Sequence, residues 1–291
     1  MDNSMKLFAA LGLALMALTA ISAEDERISA LRAKAEKGDA KAQYALGLTY
    51  TNGKAVPKDE AEAAKWLRKA AEQGVADAQV MLGLSYANGD GVPKDTVEAA
   101  KWFRLAAEQG NPFGQTSLGL IYANGEGLPK DSAEAVKWYR RAAEQGFADA
   151  QCNLGVMYAN GESVPKDTVE AAKWFRLAAE QGDDQAQKNL GLLYAIGDGV
   201  SKDTAEAAKW LRKAAEQGQE EAQRNLGVLY ANGDGVPKDL VYAYVWFSLA
   251  GANGQVGSSA DLRALEKMLT SKQKAEATRM ARELFEKLPK K

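Results

Sequence analysis

Tryptophan occurs six times in this chain of 291 residues, at Trp66, Trp102, Trp138, Trp174, Trp210 and Trp246, and every step between neighbours is 36 residues. Tyr50, Tyr86, Tyr122, Tyr158, Tyr194 and Tyr230 keep the same step, as do Gly47, Gly83, Gly119, Gly155, Gly191 and Gly227. A fixed period of this length marks duplicated supersecondary units, each too small to bury its own apolar face, so neighbours must complete the core. The chain therefore reads as a repeat array, one elongated domain.

The unit 75–110, VADAQVMLGLSYANGDGVPKDTVEAAKWFRLAAEQG, contains two helices and two stops. Over 76–87, Ala78, Leu82, Gly83 and Tyr86 recur at i, i+4, i+5 and i+8, one face of an amphipathic helix, here helix A. Asn88-Gly89 supplies a left-handed cap, and Gly91-Val92-Pro93 forces an extended turn. Helix B opens at Asp95 and Glu98, a spacing in which Asp95 accepts early backbone N–H groups while Glu98 reaches back. Asp59/Glu62, Asp131/Glu134, Asp167/Glu170 and Asp203/Glu206 repeat the pair, and their place at a helix start reads as capping rather than acid catalysis. Ala99, Ala100, Trp102, Phe103, Ala106 and Ala107 form a broad apolar face, which makes the tryptophans core residues rather than a stacking platform for ligands. Gly110 provides the left-handed stop.

Composition narrows the function. The net charge is -2 and the 37 basic residues are spread through every repeat. That argues against a nucleic-acid partner, which needs basic charge massed on one face. Histidine is absent, removing the usual general base of nucleophile systems and the commonest zinc ligand, so no metal and no cofactor are expected. The lone cysteine, Cys152, cannot form an intramolecular disulfide and reads as an ordinary half-buried side chain, since Tyr44, Val80 and Thr116 take its place elsewhere.

The beginning has the form of a secretory signal. Lys6 precedes the apolar run 7–18, and Ala20, Ser22 and Ala23 stand before the charged stretch from Glu24. Cleavage after Ser22 or Ala23 is expected, giving a signal peptide over 1–23 and a periplasmic or secreted mature chain with no integral membrane segment. The alternative, an uncleaved anchor, would need about 20 apolar residues.

The pattern A-x-A-Q-x-x-L-G-x-x-Y-x-x-G, then V-P-K-D, then E-A-A-K-W-x-x-x-A-A-E-Q-G, closely resembles the Sel-1-like repeat (SLR) family, relatives of the tetratricopeptide repeats with a longer inter-helix loop. The match covers six units, 39–74, 75–110, 111–146, 147–182, 183–218 and 219–254. The resemblance implies an all-α, α/α right-handed superhelical solenoid, helix A lining the concave side and helix B the convex side. Residues 24–38 then form an N-terminal capping helix, and 255–291 form C-terminal capping helices over roughly 259–269 and 271–288. Ser201 stands for the loop proline, Ile196 for the capping asparagine, and Ala55 and Ser163 for the second loop glycine; none of these puts a repeat in doubt. Bacterial members of this kind act as envelope or secreted adaptors, signalling regulators or host-interaction proteins.

A solenoid keeps fixed columns for packing and writes specificity into those that vary. On helix A the columns of Lys41, Asp77, Phe113, Asp149, Gln185, Glu221 and of Tyr44, Val80, Thr116, Cys152, Lys188, Arg224 fall nearer the face opposite the packing residues. Beside them runs Ala45, Met81, Ser117, Asn153, Asn189, Asn225. Three successive asparagines form an amide ladder able to donate to and accept from an extended peptide backbone, matching the helix A asparagines that contact peptide in related repeat proteins. Lys188 and Arg224 beside them suit an acidic side chain or a terminal carboxylate. Asn153, Asn189, Asn225, Lys188, Arg224 and Ser117 are therefore the candidate binding residues, on a scaffold or adaptor that takes a protein or peptide segment on its concave face. The bland alternatives are solvated polar positions, interhelix hydrogen bonds, or a purely structural spacer. An enzymatic alternative also comes from the resemblance, because some cysteine-rich relatives are hydrolases of β-lactams or cell-wall peptides. Those carry paired cysteines, and this chain has one.

Overall fold

The computed structural model describes residues 26–252 and 258–289, so the leader expected at 1–23 lies outside the described residues. Among these there are fifteen helices and no strand. Helix α1 covers 26–36. The A helices are α2 (Ala40–Asn52), α4 (Ala76–Asn88), α6 (Pro112–Asn124), α8 (Ala148–Asn160), α10 (Asp184–Ile196) and α12 (Glu220–Asn232). The B helices are α3 (Glu60–Glu72), α5 (Thr96–Glu108), α7 (Ser132–Glu144), α9 (Thr168–Glu180), α11 (Thr204–Glu216) and α13 (Leu240–Ala252), followed by α14 (Ser258–Glu266) and α15 (Ser271–Lys287).

The chain divides into two compact units, 1–138 and 139–291. In the first, α2 packs on α3, α3 on α4, α4 on α5 and α5 on α6; in the second, the same succession runs from α8 to α13, and α13 then carries both α14 and α15. Within each unit, α2 to α6 and α8 to α14 thus pack chiefly on their neighbours in sequence, the contact pattern of helix-pair repeats.

The boundaries follow the local chemistry. Gly89 stops α4 at φ 90°, donating its N–H to Ser85 O at 2.8 Å. The loop then returns, and Asp95 N donates to Tyr86 O at 2.9 Å while the Asp95 carboxylate accepts from Val97 N and Glu98 N at 3.0 Å each. This explains a departure from the expected capping box. The N–H that Glu98 would have reached is already bonded to Tyr86 O, so Glu98 pairs with Lys101 one turn on, at 3.0 Å. Glu62, Glu170 and Glu206 do the same with Lys65, Lys173 and Lys209.

Close approach fixes two glycines. A Cβ on Gly83 would stand 2.7 Å from the Phe103 ring, so α4 and α5 can cross this tightly only there. Gly91, at φ 70°, carries its loop against the start of α3, where a Cβ would lie 1.9 Å from Glu60 O.

Between repeats, two polar ladders accompany the apolar core. The buried Gln79 donates Nε2 to Ala71 O of the preceding B helix at 3.1 Å, and its Oε1 accepts from Gln109 Nε2 at 2.7 Å. Gln187 is bonded in the same way to Ala179 O and Gln217. Arg68 of α3 donates to the Tyr86 hydroxyl of the next repeat, a pattern that Arg104–Tyr122, Arg140–Tyr158, Arg176–Tyr194 and Arg212–Tyr230 continue. Ser248 stands at this arginine position in the sixth repeat, where no seventh tyrosine follows.

The tryptophans are packing residues as expected, though unequally. Trp66, Trp210 and Trp246 are buried, while Trp102, Trp138 and Trp174 are half-buried.

Candidate functional site

Within each unit, grooves lie between neighbouring A helices, floored by the B helix that joins them. In the second unit the groove lies between α8 and α10, has a volume of about 470 Å³, and is lined by Asn153, Val156, Asn160, Lys188, Asn189 and Leu192 among others, with Phe175 of α9 below. The helical repeat produces this lining directly: Asn153, Val156 and Asn160 follow at i, i+3 and i+7 along one face of α8, and Asn189 and Leu192 occupy the same positions on α10.

The walls combine two chemistries. Val156 and Leu192 are half-buried aliphatic side chains, and Phe175 is 2% exposed. Asn153 and Asn189 are half-buried too, yet neither side-chain amide has a hydrogen-bond partner among the described residues. Each amide offers two donors and an acceptor toward the groove.

The charge beside them is already balanced. Lys188 Nζ, its side chain 14% exposed, lies 2.9 Å from Glu221 on the next A helix. Arg224 is held by Asp261 of α14, Nε to Oδ2 at 2.8 Å. Of the six candidate residues, then, Asn153, Asn189 and Lys188 come together in one groove. Asn225 and Arg224 stand on α12, with the Arg224 guanidinium engaged by the C-terminal region. Ser117 belongs to the first unit, in a groove of about 240 Å³ between α4 and α6 lined by Leu84, Leu120 and Asn124 over Phe103.

The column of Tyr44, Val80, Thr116, Cys152, Lys188 and Arg224 is not the open face expected of it. Val80 and Cys152 are buried, at 7% and 6% exposure, because this edge of helix A turns toward the next repeat. The open column is its neighbour, where Lys41, Asp77, Phe113, Asp149, Gln185 and Glu221 are all exposed.

Cys152 is thus more deeply set than a half-buried side chain. Burial pushes its thiol far above the usual range, and the carboxylate of Asp183, to which the thiol is hydrogen-bonded, adds to the rise. Asp183 is itself raised above the ordinary carboxylate value by burial, a shift opposed by the bond it accepts from Ala186 N. The pair holds the sulfur as a neutral thiol, the unreactive form. Among the described residues, no cluster of three or more His, Cys, Asp or Glu side chains is placed to hold a metal ion.

One contributor went unread in the sequence. Leu48, Leu84, Leu120, Val156, Leu192 and Val228 form a column that is aliphatic in every repeat, yet Leu84 and Leu120 are 39% and 48% exposed. The readable signal was an aliphatic position one residue beyond the packing glycine, three residues from the asparagine column and on the same side of the helix.

Comparison with known proteins accords with this architecture. The Sel1 repeat family model matches residues 40–75, 76–111, 112–147, 148–183, 184–219 and 220–255. The chain belongs to the Sel1 repeat family. It is similar to c5321, a protective antigen present in uropathogenic Escherichia coli strains that displays an SLR fold, with 39% identity, a TM-score of 0.78, and coverage of 88% of this chain and 56% of that one. It therefore spans little more than half the length of that antigen. A Sel1 repeat protein from Oxalobacter formigenes is 37% identical with a TM-score of 0.68, the match covering 73% of this chain and 85% of the other. No curated protein matches the chain. Proteins of this family are generally protein–protein interaction scaffolds and typically non-catalytic. Among the described residues, no helix is long and apolar enough to cross a membrane.

Proposed function

We propose that this chain is an extracytoplasmic interaction scaffold that binds an extended segment of a partner protein in the groove between α8 and α10. The observation that carries the reading is the pair of half-buried amides, Asn153 and Asn189, unpartnered on either side of an aliphatic and aromatic floor. An extended backbone presents alternating N–H and C=O groups, and a side-chain amide answers both. Val156, Leu192 and Phe175 give apolar side chains of the segment a place to leave water, which supplies affinity where the amides supply orientation. Lys188 adds selectivity: an acidic residue of the partner competes with Glu221 for its ammonium, so the cost of burying that charge is already met in the unbound state.

The extracytoplasmic setting rests on the leader-like residues 1–23, and the likeness to a bacterial protective antigen favours a role in the envelope or in host interaction. A photo-crosslinking residue placed at Leu192 in the native host, with the same residue at Lys65 as control, tests the site. A protein captured from Leu192, absent from Lys65, and lost when Asn153 and Asn189 are both changed to alanine is the expected result. Capture that survives the double substitution, or none from Leu192, contradicts the assignment.

A further inference from the structure

The outer face of helix B differs from repeat to repeat in a way that the grooves do not explain. Three positions one turn apart define it, occupied in α13 by Val241, Val245 and Leu249, in α5 by Val97, Lys101 and Leu105, and in α9 by Val169, Lys173 and Leu177. In α3 and α11 the same positions are Ala61, Lys65, Lys69 and Ala205, Lys209, Lys213. The stripe is therefore aliphatic in α13, aliphatic at both ends in α5 and α9, and alanine and lysine in the other two.

Burial separates these helices. In α13, Val245 and Leu249 are each 2% exposed, in one apolar cluster with Trp246, Ala277 and Ala281. The cover is α15, which packs on α13 with Met280 and Leu284 against the same cluster. It is an amphipathic helix whose small residues, Ala277 and Ala281 one turn apart, let it lie close to the stripe. On α5 and α9 no such cover exists among the described residues: Val97 and Leu105 are 48% and 44% exposed, Val169 and Leu177 54% and 45%. Where the stripe is left open in α3 and α11, the end position is instead a lysine whose ammonium lies 4.1 Å from the ring centroid of Trp66 or Trp210. The molecule thus treats the position in two ways, covering it with a helix or closing it with a lysine over the tryptophan. α5 and α9 do neither.

We infer that the outer stripes of α5 and α9 are docking sites for an amphipathic helix of a partner protein built like α15, with alanines one turn apart facing the stripe and methionine or leucine beside them. The mode is a helix laid along an apolar stripe, with Lys101 or Lys173 at its middle to meet an acidic residue of the incoming helix. It uses the face of the repeat opposite to the groove residues and does not depend on peptide binding there.

The probe is a labelled peptide of residues 270–289, titrated by fluorescence anisotropy with the full chain. Two pairs of substitutions, Val97→Ala with Leu105→Lys and Val169→Ala with Leu177→Lys, give α5 and α9 the stripe of α3 and α11, helices that fold in this same array. Saturable binding to the unaltered chain, weakened about tenfold or more by the four substitutions together with no change in melting temperature, is the expected result. Equal binding to the quadruple variant would show the peptide merely exchanging with α15 on α13 and would overturn the inference, as would an absence of saturable binding. A dimer of the unaltered chain in sedimentation that the quadruple variant loses would assign the stripes to a second copy and overturn the partner assignment.

Discussion

The groove between α4 and α6 and the groove between α8 and α10 are built on one frame, with Phe103 flooring the first and Phe175 the second. Leu84 and Leu120 of the first correspond to Val156 and Leu192 of the second. Their linings part at a few positions: Ser117 stands where the second groove has Asn189, and the equivalents of Asn153 and Lys188, Met81 and Thr116, do not line the first groove. The first groove carries only exposed amides, Asn88 and Asn124, while the second adds the half-buried Asn153 and Asn189 and a paired cation. Residues that hold one helix to the next stay constant over 72 residues of sequence, and residues that face the opening do not. Specificity in such a chain is a change of lining on a constant frame.

That division can be broken first at the frame. Gly91→Ala forces a Cβ toward Glu60 O from a backbone at φ 70°, and should cost about 3 kcal/mol in the first unit. Chemical denaturation followed by helical circular dichroism measures it, and a loss below about 1 kcal/mol would mean that the loop slides away and the frame is softer than described. Gln187→Met keeps the volume but removes the side-chain donor to Ala179 O, which still accepts from Gly182 N, and one acceptor of the Gln217 amide, which still donates to Gly182 O. A loss of about 1 kcal/mol is expected, with Asn189→Met as a control in the groove that should cost less.

The polar contact beneath the second groove sharpens the comparison through pH. Because the folded state raises the Asp183 carboxyl above its unfolded value, its stabilising contribution is full below about pH 4 and declines as pH rises through the folded value. Asp183→Asn keeps a capping side chain, as Asn111 caps α6 by accepting from Gly114 N. Melting temperatures measured on both proteins from pH 4 upward should fall less with pH in the variant; parallel curves would remove Asp183 from the account. Smallest of all should be the effect on stability of exchanging the linings. Ser117→Asn and Asn189→Ser are each expected to change it by less than about 0.5 kcal/mol, since neither side chain takes part in the frame.

Much of the frame was legible because it depends on local chemistry. Glycine stops, aspartate caps and the helical spacing of Ala, Leu and Tyr act within one repeat, and the helices appear where these signals put them. The features that escaped depend on a neighbouring repeat. Gln79 looks like any polar residue until Ala71 O and Gln109 surround it, and Glu98 has the spacing of a capping box until Tyr86 O takes the N–H it would have met. The site divides in the same way. The asparagine column is visible as a drift between repeats, but the pairing of Lys188 with Glu221, and of Arg224 with Asp261, spans 33 and 37 residues. The packing of successive A helices brings the first pair together, and the placement of α14 brings the second. The aliphatic column of Leu120 and Leu192 was hidden by its constancy, because a position that never varies reads as core until its exposure is known.

The most direct test of a constant frame with a specific lining is a selection of random extended peptides on the full chain, followed by affinity and melting-temperature measurements on the Asn153→Ala, Asn189→Ala double variant. A selected peptide whose binding falls about tenfold or more in the variant, while the melting temperature stays within about 2 °C, is the predicted result. Undiminished binding, or a lost peptide accompanied by a collapse in melting temperature, would contradict the account by showing that the two amides either do not read the ligand or belong to the frame.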